Sequence, residues 1–80
     1  MIVDAAIKDE TGKVWTGRRH CYIIQDMVLK GVQPPITGEQ GFVDEAGIFF
    51  DRTAAAALAL REHQIERLRW PPLLYTEDLW

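Results

Sequence analysis

The chain has 80 residues, enough for one small domain and no more. Nine Lys and Arg stand against twelve Asp and Glu, and the formal net charge of −3 argues against a duplex nucleic-acid binder with a broad basic face. One cysteine, Cys21, excludes an intramolecular disulfide framework and a structural zinc site built on cysteines. No apolar run nears the roughly 20 residues of a membrane span, and Met1-Ile2-Val3 opens no basic-then-apolar leader. With 48% hydrophobic and 26% charged residues the chain reads as globular. A chain this short buries only about 60% of its unfolded surface, so a thin core and a homodimer or higher homo-oligomer are expected. The expectation at this level is a soluble, cytosolic single domain over residues 1–80.

An internal repeat organises the chain. Shifted by about 35 residues, Ile7-Lys8-Asp9-Glu10-Thr11-Gly12-Lys13-Val14-Trp15-Thr16 lies over Phe42-Val43-Asp44-Glu45-Ala46-Gly47-Ile48-Phe49-Phe50-Asp51. Each copy reads as strand, glycine turn, strand, with Asp and Glu at a solvated tip. Thr16 and Asp51 are the expected N-caps. The first helix is expected from Gly17 to Lys30, with His20, Ile23, Ile24, Met27 and Val28 on one stripe. Gly31 ends it and Pro34-Pro35 prevents its resumption. The linker runs from Gly31 to Gln40. The second helix is expected from Arg52 into the low sixties, with Ala55, Leu58 and Ala59 placed by the repeat where His20, Ile23 and Ile24 stand. Its alanines permit close approach of another backbone. Trp70-Pro71-Pro72 breaks regular structure, and the apolar tail that follows is expected to dock on the domain or on a second chain. The fold class is α+β: a ββα-ββα repeat with units at about 2–31 and 40–64 and a tail at 65–80. Its small antiparallel sheet carries both helices on one face, and a partner is expected to cover the other face.

Three pieces of the chain carry a resemblance. They are Gly12-Lys13-Val14-Trp15-Thr16-Gly17-Arg18-Arg19-His20 with Ile23-Ile24, Gln40-Gly41-Phe42-Val43 with Phe49 and Asp51-Arg52, and Leu74-Tyr75-Thr76-Glu77-Asp78-Leu79-Trp80. Together they resemble a family of small accessory proteins of tailed bacteriophages and prophages. The resemblance covers nearly the whole chain. It departs at Thr76, where the family ending has Ser, and at His63, where many relatives have Gly. It implies a phage protein acting in the cytoplasm of the infected bacterial host, and it implies no particular activity.

The chemistry-bearing residues are few. The chain has no Ser, so a Ser-His-Asp arrangement is impossible. Cys21 and His20 are adjacent on a helix and point apart. No glycine-rich phosphate loop occurs, and His20 and His63 do not form a metal motif by spacing. No catalytic residue, metal site or cofactor is expected, and the chain reads as a non-enzyme. The anion-binding candidates are the two helix starts, Gly17, Arg18 and Arg19 in one and Arg52 in the other. Trp15 and Tyr22 are candidates to stack on a base, and His20 to donate from a pocket floor. Alternatively, His20 is a buried histidine held by Glu77 or Asp78. Tyr75, Glu77, Asp78 and Trp80 are assigned to tail docking or an interface.

Two functional classes follow. The first is a non-enzymatic phage counter-defence sponge that sequesters a small anionic nucleotide, either a cyclic nucleotide or an ADP-ribose derivative. The second is a protein–protein inhibitor of a host enzyme or nuclease, anchored by the aromatic tail. A structural or regulatory phage component is the remaining alternative.

Overall fold

The computed structural model describes all residues from Met1 to Trp80. Its elements are β1 (Ile2–Lys8), β2 (Val14–Gly17), α1 (His20–Leu29), β3 (Glu39–Asp44), β4 (Phe49–Asp51) and α2 (Arg52–Arg61), with a short 3₁₀ turn at Thr76–Asp78. The fold is α+β. The four strands form one antiparallel sheet in the order β2-β1-β3-β4. The repeat therefore becomes a pseudo-twofold arrangement, with the β1–β3 pair at its centre.

Both hairpin turns are built by an aspartate. Asp9 Oδ1 accepts the backbone N–H groups of Thr11 and Lys13 at 2.9 and 3.0 Å, and Asp44 Oδ1 accepts those of Ala46 and Ile48 at 3.0 Å each. Gly12 and Gly47 supply the positive φ at matching places, +88° and +79°. Asp9 and Asp44 are thus turn organisers rather than only solvated charge. Hydrogen bonds from Thr11 and the Trp15 indole hold the Asp9 carboxyl down at about 2.

The first helix starts later than the pattern predicts. Thr16 pairs with Ala6 inside the sheet, so it is not an N-cap. The cap is Arg19, in extended conformation and without a side-chain capping bond. Asp51 does cap α2, accepting the Ala54 N–H at 2.8 Å. In the second unit the helix follows β4 directly. The turns are therefore offset by 35 residues and the helices by 32, so Arg52 is the structural counterpart of His20, and Ala55 of Ile23.

The two helices also end alike. Val32 and Gly31 donate to Met27 and Val28 carbonyls, and Gln64 and His63 donate to those of Ala59 and Leu60. Each end is closed by a pair of hydrogen bonds around a left-handed residue, Gly31 at φ +98° and His63 at φ +57°. A left-handed conformation costs an L-residue more than it costs glycine. His63→Gly is expected to raise stability by about 0.5–1 kcal/mol after the added freedom of the unfolded glycine is counted. Thermal melting checks this as a gain of a few degrees, and a lower Tm would contradict it.

The core lies between sheet and helices. Ile2, Ile7, Phe42, Ile23, Met27 and Leu74 are its largest fully buried members, each contributing roughly 1.5–3 kcal/mol by leaving water. Leu74 belongs to the tail, so the tail docks on its own domain. Ala55, Ala56 and Ala59 let α2 approach the sheet closely. The opposite sheet face is partly covered from within, because the Phe49 ring lies over Gly41 with Lys8 Nζ 5.2 Å from its centroid. No helix is long and apolar enough to cross a membrane.

Candidate functional site

The helices are arranged head to head. β2 ends at Gly17 opposite Ala5, and β4 ends at Asp51 opposite Gly41, whose other neighbour is Ala6. Both helices therefore begin over the middle of the sheet and run outward. α2 ends near Ile2, whose backbone N–H and carbonyl are bonded by the Gln64 amide at 2.8 and 2.7 Å. α1 ends near the opposite end of β1, where Met27 and Val32 share a cleft with Asp9 to Thr11. At the centre the first residues of the two helices meet, with Arg52 Nη2 standing 3.5 Å from His20 Nδ1.

A cleft of about 180 Å³ opens there, lined by Arg19, His20, Cys21, Arg52, Tyr75, Thr76 and Glu77. His20 Nε2 donates to the Gly41 carbonyl at 2.8 Å, and its ring meets Phe42 edge-on at 5.2 Å. With Nε2 carrying the proton, Nδ1 is left as the acceptor toward Arg52. Burial pushes the His20 pKa below its usual 6.5, and the Arg52 charge adds to that shift. Arg52 spans the floor. Its Nη1 donates to the Leu74 carbonyl at 2.8 Å, its Nη2 donates to Gln40 Oε1 at 2.7 Å, and its guanidinium lies 4.5 Å from the Tyr75 ring centroid. Arg19 Nη1 donates to Thr76 Oγ1 at 3.1 Å, and its Nη2 donates to the Trp80 main-chain oxygen.

The cleft thus gathers Arg19, His20 and Arg52 from both units, with Tyr75 and Glu77 from the tail. It does not gather the other sequence candidates. Trp15 lies toward the far end of α1, where Lys13 and Lys30 stand 4.1 and 5.9 Å from its ring and its indole donates to Asp9 Oδ2. Tyr22 points outward, 58% exposed. Neither lines the cleft, because β2 carries Trp15 along the sheet away from the helix start. Gly17 faces the core, where a Cβ would press on Ile23. Arg18 lies outside the cleft, beside Asp4 at 3.8 Å and against the Trp80 ring at 4.1 Å.

The expected partner of His20 is also corrected. Its direct bond goes to Gly41, while Asp78 accepts the Arg69 and Tyr75 backbone N–H groups at 3.1 and 3.0 Å and folds the tail. Thr76 and Gln40 escaped the sequence reading. Both stood in the pieces that carry the resemblance, Thr76 as a hydroxyl that Ser shares at that place and Gln40 at the head of Gln40-Gly41-Phe42-Val43, but nothing local tied either to Arg19 or Arg52.

A second, larger cleft of about 400 Å³ lies at the far end of α1. Met27, Val32, Ile36 and Pro34-Pro35 line it together with Asp9 and Glu10. It holds none of the cationic candidates, so the chemistry that favours an anion lies in the smaller cleft. No three His, Cys, Asp or Glu side chains cluster as metal ligands do.

Fold and site together define a small two-unit α+β protein with a cationic cleft where its repeats meet. The family model described as phage T4 y16D protein matches residues 1–80, the full chain, and the chain belongs to that family of small phage proteins. No curated protein and no solved structure gives a match.

Proposed function

We propose that this phage protein is a non-enzymatic counter-defence sponge that captures a nucleotide-type immune signal at the Arg19–His20–Arg52 cleft. The observation that carries this reading is the convergence of two guanidiniums and an imidazole from separate repeat units on one cleft. Guanidinium forks suit phosphate oxygens, and a carboxylate such as Glu77 suits the hydroxyls of a ribose. The volume of about 180 Å³ is below the roughly 300–1,000 Å³ of sites for drug-sized ligands. The cleft therefore suits the phosphate and sugar of one nucleotide unit, with the base outside. Both His20 ring nitrogens are engaged, one by Gly41 and one beside Arg52, which fits a binder better than a proton-transfer catalyst.

Isothermal titration with cyclic dinucleotides, cyclic trinucleotides and cyclic ADP-ribose isomers tests the proposal. One of them is expected to bind, and Arg19→Glu is expected to weaken it at least about tenfold while retaining a cooperative melt. No heat with any member of the panel would overturn the reading.

A second reading, a protein–protein contact, is favoured by one observation. On α1, Tyr22, Val28 and Leu29 are 58%, 43% and 85% exposed. Their counterparts on α2, Ala54, Leu60 and Arg61, form a less apolar face. If this reading holds, the anchor is α1 rather than the tail. Leu29→Asp would then abolish capture of a host protein or self-association measured by light scattering, and an unchanged result would remove it.

A further inference from the structure

The tail from Leu73 to Trp80 lies against every guanidinium at or beside the cleft. Arg52 donates to the Leu74 carbonyl at 2.8 Å and lies against the Tyr75 ring. Arg19 donates to the Thr76 hydroxyl and to the Trp80 main-chain oxygen. The Trp80 indole donates to the Arg18 carbonyl at 2.6 Å, and its ring stacks on the Arg18 guanidinium at 4.1 Å. No Asp or Glu side chain accepts from Arg19 or Arg52, whose partners are a hydroxyl, a side-chain amide and main-chain oxygens, and a phosphate is a stronger partner for the same donors.

Anchoring along the tail is uneven. Leu74 is fully buried and Thr76 is 5% exposed, whereas Glu77 is exposed and Trp80 is only half-buried. Asp78 holds the 3₁₀ turn together from within. The tail therefore has a fixed root at Leu74 and a distal end held by Arg18 and Arg19, with Leu79 and Trp80 packed against the edge of the core.

We propose that residues 76–80 form a strap that competes with an anionic ligand for Arg19, so that ligand capture releases the strap. This rests on the cleft reading above. A phosphate that takes the same pair of Arg19 N–H groups now given to the Thr76 hydroxyl and the Trp80 oxygen displaces both. Displacing them frees Trp80 from Arg18.

The test uses adenosine monophosphate as the probe and Trp80→Ala as the variant, which spares the Leu74 root and the Asp78 turn. The indole contacts oppose binding in the parent, so Trp80→Ala is expected to bind the probe about fivefold more tightly. In the parent, amide exchange at residues 76–80 is expected to accelerate when the probe is bound, a readout that needs no variant. Equal or weaker binding by Trp80→Ala, with unchanged exchange in the parent, would overturn the strap and leave the cleft reading standing. Binding of the probe by neither protein would overturn the strap as a competitor of phosphate, and the cleft reading falls only if the cyclic panel also gives no heat.

Discussion

Replacing Arg52 with Ala is expected to lower stability by about 2–3 kcal/mol and to free the tail, since the partly buried Leu74 carbonyl left without its donor costs roughly 1–3 kcal/mol and the lost contacts with the Phe42 and Tyr75 rings add about 0.5–1 kcal/mol. Arg52 holds the Leu74 carbonyl and Gln40, and it lies beside His20 and the Phe42 and Tyr75 rings. One side chain thus joins β3, α1, α2 and the tail. Because 1 kcal/mol is worth about 4–8 °C in a domain this size, the melting midpoint should fall on the order of 10–20 °C. Proteolysis should also cut the variant within the tail before the rest of the chain unfolds. Arg52→Lys is expected to recover little, because an ammonium cannot span the Leu74 and Gln40 oxygens as a planar fork does. A loss below about 0.5 kcal/mol, the usual range of a surface substitution, would show that Arg52 does not tie the tail to the sheet.

Gly41→Ala is the second large effect. Gly41 sits in β3, and a Cβ there would run into the Phe50 main-chain oxygen and the Phe49 ring. The oxygen belongs to the paired strand β4 and cannot move without breaking that pairing. The cost is expected to be about 3 kcal/mol or more, at the upper end for an overpacked position. Gly47→Ala provides the contrast. Gly47 has positive φ but nothing within 4 Å of an added Cβ, so its cost is backbone strain alone, about 1 kcal/mol. Chemical denaturation of the two variants separates the mechanisms. Similar losses at the two glycines would mean that β4 yields and that the close β3–β4 contact is not needed. The Gly41 carbonyl also accepts the hydrogen bond from His20 Nε2, so displacing it should disturb the cleft as well as the sheet.

The same residues show how far local pattern reaches. Alternation and turn chemistry were enough to find both hairpins, because Asp9 with Gly12 and Asp44 with Gly47 act within a few residues of each other. Asp51 was legible as a cap for the same reason. The start of α1 was not, because Thr16 is drawn into a ladder with Ala6, a partner ten residues away that outcompetes a capping role. The pairing of Trp15 with Arg19 into one site failed for a related reason. Neighbours in sequence diverge when one is on a strand and the other opens a helix.

By itself, the sequence determined the two-unit repeat, the α+β class, the tail that must find an apolar surface, and Arg19, His20 and Arg52 as candidates. Each of these follows from short-range periodicity, from turn and cap chemistry, or from the presence of a cation. Only the tertiary structure decided that the helices meet head to head, that His20 and Arg52 are equivalent residues facing one another, and that the tail grips the arginines. Those relations join residues 22 to 62 positions apart. The central β1–β3 pairing and burial of Leu74 create them, and no local pattern encodes which distant donor meets which acceptor.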